Sequence, residues 1–428
     1  MWDLSISILV FSLLSASNSY AAEPNWPQFR GPSGQGYAVG AEIPVKFDEE
    51  TNITWKQAIP GLGWSTPVVW GDQVWLTTAV DLEETEPALS LRAIGLEVAT
   101  GKVLHEIELF RIPNPEKIHD DNSYASPTPI IDEQNIYCHF GTFGTAAIDH
   151  HTGKILWKNE ELEIEHQGGP GSSPVAFENL LILTCDGANE QFVAALDKTS
   201  GEIQWKTKRS APLRENKITH RAFATPFLWN RDETNLLISP GADQVHAYDP
   251  STGEERWHVR YTGFSNVPAP VANGSHVFVC TGFYETQLLA IRAEGRGDIT
   301  ETNIDWTYDR SVSTVPSPIL IDDMIFTINP GGIVVCLSCE TGDVLGKRRF
   351  IGAYSASPIF ANDKLYFCSE EGKISVINAD PQMELVQVNR LDGRIKASPA
   401  VAGKALYLRT DTHLYVLRIN NIKPPITY

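Results

Sequence analysis

Short apolar runs, each opened by a proline, punctuate this chain at near-regular intervals. Each repeat opens with a Ser/Thr/Ala-Pro step, eight in all: Thr66-Pro67, Ser126-Pro127, Ser173-Pro174, Thr225-Pro226, Ala269-Pro270, Ser317-Pro318, Ser357-Pro358 and Ser398-Pro399. The prolines are separated by 60, 47, 52, 44, 48, 40 and 41 residues. After each comes an apolar stretch such as Val68-Val69-Trp70, Ile130-Ile131 or Ile319-Leu320-Ile321, then a Gly/Asn/Asp turn. A second apolar stretch follows, such as Asn135 to His139 or Lys364 to Cys368. Runs of this length bounded by turn residues predict strands rather than helices. Proline has no N–H to give to a ladder, so it belongs at a strand start or on an open edge.

A second pattern, A-x-D-x-x-T-G-x-x-x-W, recurs in phase with the first. It reads Ala147…Asp149…Thr152-Gly153…Trp157, then Ala195…Asp197…Ser200-Gly201…Trp205, then Ala247…Asp249…Thr252-Gly253…Trp257. The glycine suits a tight turn that needs positive φ, and the aspartate can accept from backbone donors of that turn. The tryptophan is expected to cover the junction with the next unit, contributing about 2–3 kcal/mol each. Four strands per unit, repeated every ~45 residues, define a propeller blade. The predicted fold is all-β: an eight-bladed β-propeller with four antiparallel strands per blade, seven blades being the alternative. Some repeats are degenerate. The first has His105 where tryptophan is expected, the fifth a longer turn through Glu294 to Gly297, the sixth Gly346, and the seventh Pro381-Gln382 in place of Thr-Gly. The eighth stops after a third strand, His413 to Ile419; Ile53-Thr54-Trp55-Lys56 is predicted to supply its fourth and so close the ring. The chain divides into a signal peptide at 1–21, an N-terminal extension at 22–50, the propeller at 51–420 and a tail at 421–428.

The formal charge is −19, and the leader's only charge is Asp3. So acidic a chain argues against nucleic acid as a partner. Leu4 to Leu14 is apolar apart from serines, and Ser19-Tyr20-Ala21 offers small residues at −3 and −1 of a cleavage site, although no basic residue precedes the apolar run. No cysteine follows it, so no lipid anchor is expected, and no later run approaches the ~20 apolar residues of a membrane span. The expectation is an exported, soluble, periplasmic or extracellular monomer. Cys138, Cys185, Cys280 and Cys368 follow prolines by 10 or 11 residues, one repeated position in four repeats, and are expected to be buried thiols. Cys336 and Cys339 lie three apart in a strand and so face opposite ways; no metal ligand set is assigned.

Strand order puts the loops between second and third strands on the same face as the links between blades, with the Thr-Gly turns on the other face. The first face gathers the polar candidates for binding: His119, Asp120 and Asp121; His166; Asp186 and Asn189; Arg214, His220 and Arg221; Asp243; Tyr284; Arg310; Tyr354; Glu370; and Lys396. Loops on a rigid scaffold are the usual home of recognition. Catalytic signatures are missing: no G-x-S-x-G, H-E-x-x-H or G-x-x-x-x-G-K-[ST] occurs. Gly31 to Gly36 resembles a phosphate loop only superficially, since no strand precedes it. His150-His151 in a Thr-Gly turn reads as surface, the acidic stretch Asp81…Glu83-Glu84…Glu86 as a solvated loop, and Lys206 to Lys217 as a salt-bridged basic link.

At the A-x-D-x-x-T-G-x-x-x-W units and at Trp26 to Pro32 the chain resembles the pyrroloquinoline-quinone-like β-propeller repeat family, in its secreted single-domain branch. The resemblance spans about residues 50 to 420 and implies two divergent functions. Quinoprotein alcohol and sugar dehydrogenases of this family hold the quinone and calcium in the axial funnel, use a carboxylate base, and often carry a disulfide between adjacent cysteines. This chain has no adjacent cysteines, is shorter, and offers no match to that base. The outer-membrane barrel-assembly lipoprotein, similar in size, uses the propeller as a protein-binding platform, but carries a lipidated cysteine absent here. The expected function is a non-catalytic binding or scaffold module with no cofactor, taking a protein or small ligand at the loop face. The alternative is a quinone- and calcium-dependent oxidoreductase.

Overall fold

The computed structural model describes residues 24–82, 86–231 and 234–419. The expected leader, Glu83, Glu84 and the tail from 420 lie outside the described residues. Eight sheets stand around one axis as a β-propeller. The first contains Val68–Trp70, Gln73–Leu82, Ala88–Glu97 and Val103–Pro113. The last contains Ala400–Ala402, Ala405–Arg409 and His413–Leu417, and receives Ile53–Ala58 as its outermost strand. That strand runs antiparallel to its neighbour, with Trp55 opposite Val416 and Lys56 opposite Tyr415, so the two ends of the ring share one sheet. No helix among the described residues is long and apolar enough to cross a membrane.

Apolar side chains on both faces of each sheet pack against the neighbouring blades. Clusters join residues of adjacent sheets, as where Ile319, Phe326 and Val334 meet Leu365 and Phe367. The tryptophan motif locks the outer rim of these junctions. An ideal Cβ on Gly201 would lie 2.5 Å from the Trp157 ring, one on Gly253 2.5 Å from Trp205, one on Gly101 2.6 Å from Trp55, and one on Gly342 2.7 Å from Trp306. Each tryptophan therefore lies flat on the turn glycine of the following blade, where a side chain would not fit. The indole N–H then donates to a turn carbonyl: Trp55 to Val98 O at 2.9 Å, Trp157 to Lys198 O at 2.9 Å, Trp205 to Pro250 O at 3.2 Å and Trp306 to Cys339 O at 3.0 Å. Where the motif is degenerate, the junction is filled differently. His105 takes the tryptophan's place against Gly153, and Gly346 leaves room for the Pro381 carbonyl where Pro381-Gln382 replaces Thr-Gly.

The prolines sit at the inner strands as expected, with one correction. In the second blade the inner strand is Ile130–Ile131, and the ring position is Thr128-Pro129 rather than Ser126-Pro127. Two X-Pro steps in succession hid the register. A consequence is that Cys138 pairs with Ala146 one residue before the site equivalent to Cys368, while Cys185 falls one residue after it. Only Cys280 and Cys368 occupy one repeated position. All six cysteines are buried free thiols. His150 is also corrected: it is buried at a blade junction, facing Gln73 Oε1 at 3.3 Å and Glu133 O at 3.1 Å, whereas His151 is exposed.

Candidate functional site

Around the axis the inner strands present a ring of hydroxyls. The backbone N–H of Thr66 donates to Thr128 Oγ1, that of Thr128 to Ser173 Oγ, and that of Ser173 to Thr225 Oγ1, at 2.9–3.0 Å. The series resumes from Ala269 to Ser317, Ser317 to Ser357 and Ser357 to Ser398, again at 2.9–3.0 Å. Six of the eight residues just before a proline thus tie their blade to the next. Ala269 carries no hydroxyl, so the series breaks after Thr225, and it breaks again between Ser398 and Thr66, whose Oγ1 is buried without a partner among the described residues.

The N-terminal extension crosses this axis on the side of the Thr-Gly turns. Trp26 bridges to Val69 in blade 1, Pro27 O accepts from Ile131 N in blade 2, Gln35 Oε1 from Ala272 N in blade 5, and Gly36 O from Phe360 N in blade 7. Tyr37–Ala38 adds a parallel strand to blade 7. Arg30 is fully buried within the crossing and donates to Gln35 O and Pro318 O at 2.6 and 2.7 Å. Gly31 and Gly36 have φ of +78° and +87°, and a Cβ on Gly31 would strike Trp26 at 2.8 Å, so this glycine-rich stretch is a packed crossing. Phe29 from it lies at the bottom of the channel, which is a blind funnel open towards the loop face.

The funnel encloses about 640 Å³. Its floor is Phe29 with the hydroxyl ring, and its apolar wall includes Trp64, Phe223, Val267, Phe283 and Val315. Two polar features face each other across it. On one side Lys396, buried to 7% exposure, extends Nζ to Asp121 Oδ1 at 2.9 Å and to Glu370 Oε2 at 3.4 Å, with Trp64 alongside. Its hydrogen bond holds the Asp121 carboxyl below the usual aspartate range. Arg394 reaches Glu370 at 3.7 Å. On the other side Arg221 donates to Ser265 Oγ at 2.9 Å and has no carboxylate within ion-pair distance among the described residues. Partial burial pulls its guanidinium below the ordinary arginine value. Phe264 and Phe283 meet edge to face at 5.9 Å beside it, and Phe283 and Tyr284 are 60% and 55% exposed. The Arg214 guanidinium lies over both Phe264 and Tyr284.

Of the residues predicted from sequence, the fold brings His119, Asp121, Arg221, Glu370 and Lys396 into the funnel lining. Asp120 is exposed beside it and pairs with Lys117 at 3.1 Å. His166 packs edge-on against Phe143, and burial lowers its pKa. Asn189 accepts from Glu165 N, holding two loops together. Arg214 and Asp243 pair at 2.7 Å, and His220 bonds to Arg214 O at 2.6 Å. Tyr284 stands on the rim with φ +72°, and Arg310 is exposed. Asp186 and Tyr354 lie elsewhere. Asp186 is a buried strand-end residue in a bidentate pair with Arg209 at 2.7 and 2.8 Å, and Tyr354 is 1% exposed inside a blade junction. The hydroxyl ring, Phe29, Trp64 and Phe283 were missed as lining. The recurrent Ser/Thr before each proline was the available signal for the ring.

Fold and funnel together define an eight-bladed PQQ-like propeller. Residues 189–421 match the family model described as outer membrane protein assembly factor BamB, and the chain belongs to that family. Among solved structures it is similar to BamB from Moraxella catarrhalis, with a TM-score of 0.55 and 16% identity over 80% of this chain and 99% of that one. It is also similar to the quinohemoprotein alcohol dehydrogenase from Comamonas testosteroni, with a TM-score of 0.63 and 11% identity over 94% and 81% of the two chains. A europium-containing methanol dehydrogenase gives a TM-score of 0.60 at 10% identity over 92% and 98%. These likenesses are of fold. No curated protein matches the sequence.

Proposed function

We propose that this chain is an exported binding module that uses the funnel mouth on its loop face to hold a protein partner. The observation that carries the reading is the blind funnel, with Arg221 over Phe264 and exposed Phe283 in its wall and exposed Tyr284 under Arg214 beside it. Aromatic residues and arginine next to a concavity are the usual anchors of protein recognition. Arg221 without a carboxylate suits an acidic group on an inserted loop. Membership of the BamB family supports a scaffold role. The leader-like N-terminus supports export to the periplasm or the exterior.

The pairing of the funnel's carboxylates counts against the quinone-and-calcium alternative. Calcium takes six to eight oxygen ligands. The two carboxylates facing the funnel, Asp121 and Glu370, both address Lys396 Nζ, so a calcium ion would have to displace a buried ammonium.

Cross-linking from the funnel rim in an envelope extract tests the reading. A defined partner should be captured by the parent protein and lost with Phe283→Ala or Arg221→Glu at unchanged melting temperature. Equal capture by these variants refutes the loop face as the binding surface. A melting-temperature rise with pyrroloquinoline quinone and calcium, accompanied by dye reduction with alcohols or sugars, would establish the oxidoreductase instead.

A further inference from the structure

Blade 4 carries a cluster distinct from the funnel. His246 in the third strand, Gln244–Tyr248, lies directly opposite His258 in the fourth, Glu255–Arg260. Residues in direct antiparallel register project from the same sheet face, and the two ring centroids are 5.3 Å apart. A register shift between Trp257 and Glu255 swings the Glu255 carboxylate to the same place. Its Oε1 lies 2.7 Å from His258 Nδ1 and its Oε2 3.6 Å from His246 Nε2. One donor atom from each of the three residues lies within 4.8 Å of the others.

We propose that His246, Glu255 and His258 form a zinc site, with a fourth position left for water beside Ser210. Bonds of 2.0–2.1 Å at tetrahedral angles separate two ligand atoms by about 3.3 Å. The gap of 3.6 Å from Glu255 to His246 is too long for a hydrogen bond and close to that ligand spacing, whereas the 2.7 Å contact between Glu255 and His258 is a hydrogen bond that the ion would open and replace. Ser210 Oγ stands 3.3 Å from His246 Nε2, where it can hold a bound water. Two imidazoles and a carboxylate suit zinc, not calcium or magnesium.

The surroundings match what a metal-binding histidine needs. His246 is fully buried and stacks on Tyr248 at 5.4 Å and 8°, which fixes its ring, and its Nδ1 has no partner among the described residues. Asp298 Oδ2 lies 3.8 Å from His258 Nε2, the nitrogen turned away from Glu255, just beyond hydrogen-bond reach. A side-chain adjustment that closed this gap would place a carboxylate behind the ligating imidazole, orienting the ring and raising its basicity. Asp298 comes from the long excursion of blade 5, where Gly297–Asp298 pairs in parallel with the outer strand of blade 4. Arg260 holds it at 3.0 Å. The ion would therefore clamp blade 4 and reach the blade 5 excursion through Asp298.

The test is equilibrium dialysis of the tag-free full chain against zinc, with cobalt substitution as a spectroscopic readout. The expected result is one retained equivalent of zinc, four-coordinate d–d bands with cobalt, and a higher melting temperature with zinc. His258→Gln and Glu255→Gln should lose the cobalt bands and weaken zinc binding at least 100-fold. Asp298→Asn should weaken it about tenfold. His276→Ala, which removes the separate His276–Asp305 pair at 2.8 Å, should leave it unchanged. Half-buried His258 is chosen over fully buried His246 so that the variant folds, which circular dichroism without zinc will check. Failure to retain one equivalent, or retention unaffected by both His258→Gln and Glu255→Gln, overturns the site.

Discussion

Lys396 and Asp121 are 275 positions apart in the chain, yet Lys396 Nζ lies 2.9 Å from Asp121 Oδ1. One belongs to the link entering the last blade and the other to the link entering the second, so their contact reports ring closure directly. The same ammonium faces Glu370, which makes Lys396 the cation shared by two carboxylates at the funnel wall.

Lys396→Met removes that cation and leaves Glu370 with the Ser355 hydroxyl and, as its one remaining cation among the described residues, Arg394 at 3.7 Å. A mostly buried carboxylate such as Glu370, stripped of a partner, costs stability even where the pair itself contributed little, whereas exposed Asp121 is resolvated. The expected cost is about 1–2 kcal/mol in urea unfolding, with partner capture weakened as well. A variant as stable as the parent would mean that solvent already screens the cluster.

The tryptophan docks predict a strict requirement at the turn glycines. Gly201 has φ +77°, and a Cβ there would lie 2.5 Å from the Trp157 ring. Gly201→Ala combines left-handed backbone strain with overpacking, and should cost about 2–4 kcal/mol. Gly71→Ala provides the comparison, because its φ is +57° but nothing lies within 4 Å of its ideal Cβ. Its loss should be limited to the backbone strain, about 1 kcal/mol. Equal losses in the two variants would remove the steric account of the dock.

The hydroxyl ring predicts substitutions of opposite sign. Ser357→Ala deprives the buried Ser317 N–H of its acceptor at 2.9 Å and should cost about 1–3 kcal/mol. Ala269→Ser places a hydroxyl where the series lacks one, as acceptor for Thr225, and should add about 0.5–1 kcal/mol. Denaturant midpoints measure both, and destabilisation by Ala269→Ser would show that the gap is packed shut.

The fold was legible because its signals are local and repeated. Thr-Gly turns, tryptophans and prolines each report on neighbours within one repeat, and strand order alone then sends His119, Arg221, Glu370 and Lys396 to one face. What escaped depends on distant contacts. Phe29 closes the funnel because the extension is anchored across the ring, as by Arg30 on Pro318, 288 positions away. Nothing in Trp26 to Gly36 announces that path. Asp186 reads as a loop acid beside Gly187, but its strand runs one residue further and buries it against Arg209. His246, Glu255 and His258 match no spacing motif, because a register shift inside the hairpin brings them together.

Buried neutral histidines predict acid sensitivity. His139 is buried in blade 2 with Nδ1 2.9 Å from Thr145 Oγ1, and burial pulls its pKa down to about 4. Burial also lowers His150 and His166. A histidine whose folded pKa is depressed stays neutral in the native state while the unfolded chain takes up a proton near pH 6.5. Its contribution is therefore fully present above pH 6.5, and is lost progressively as pH falls from there towards 4. For His139 alone the loss between pH 7 and pH 4.5 is about 2 kcal/mol. Urea unfolding across that range should show stability falling with pH. His139→Asn, although less stable at pH 7, should lose about 2 kcal/mol less on acidification. Parallel pH profiles for the two proteins would place the acid-sensitive group elsewhere.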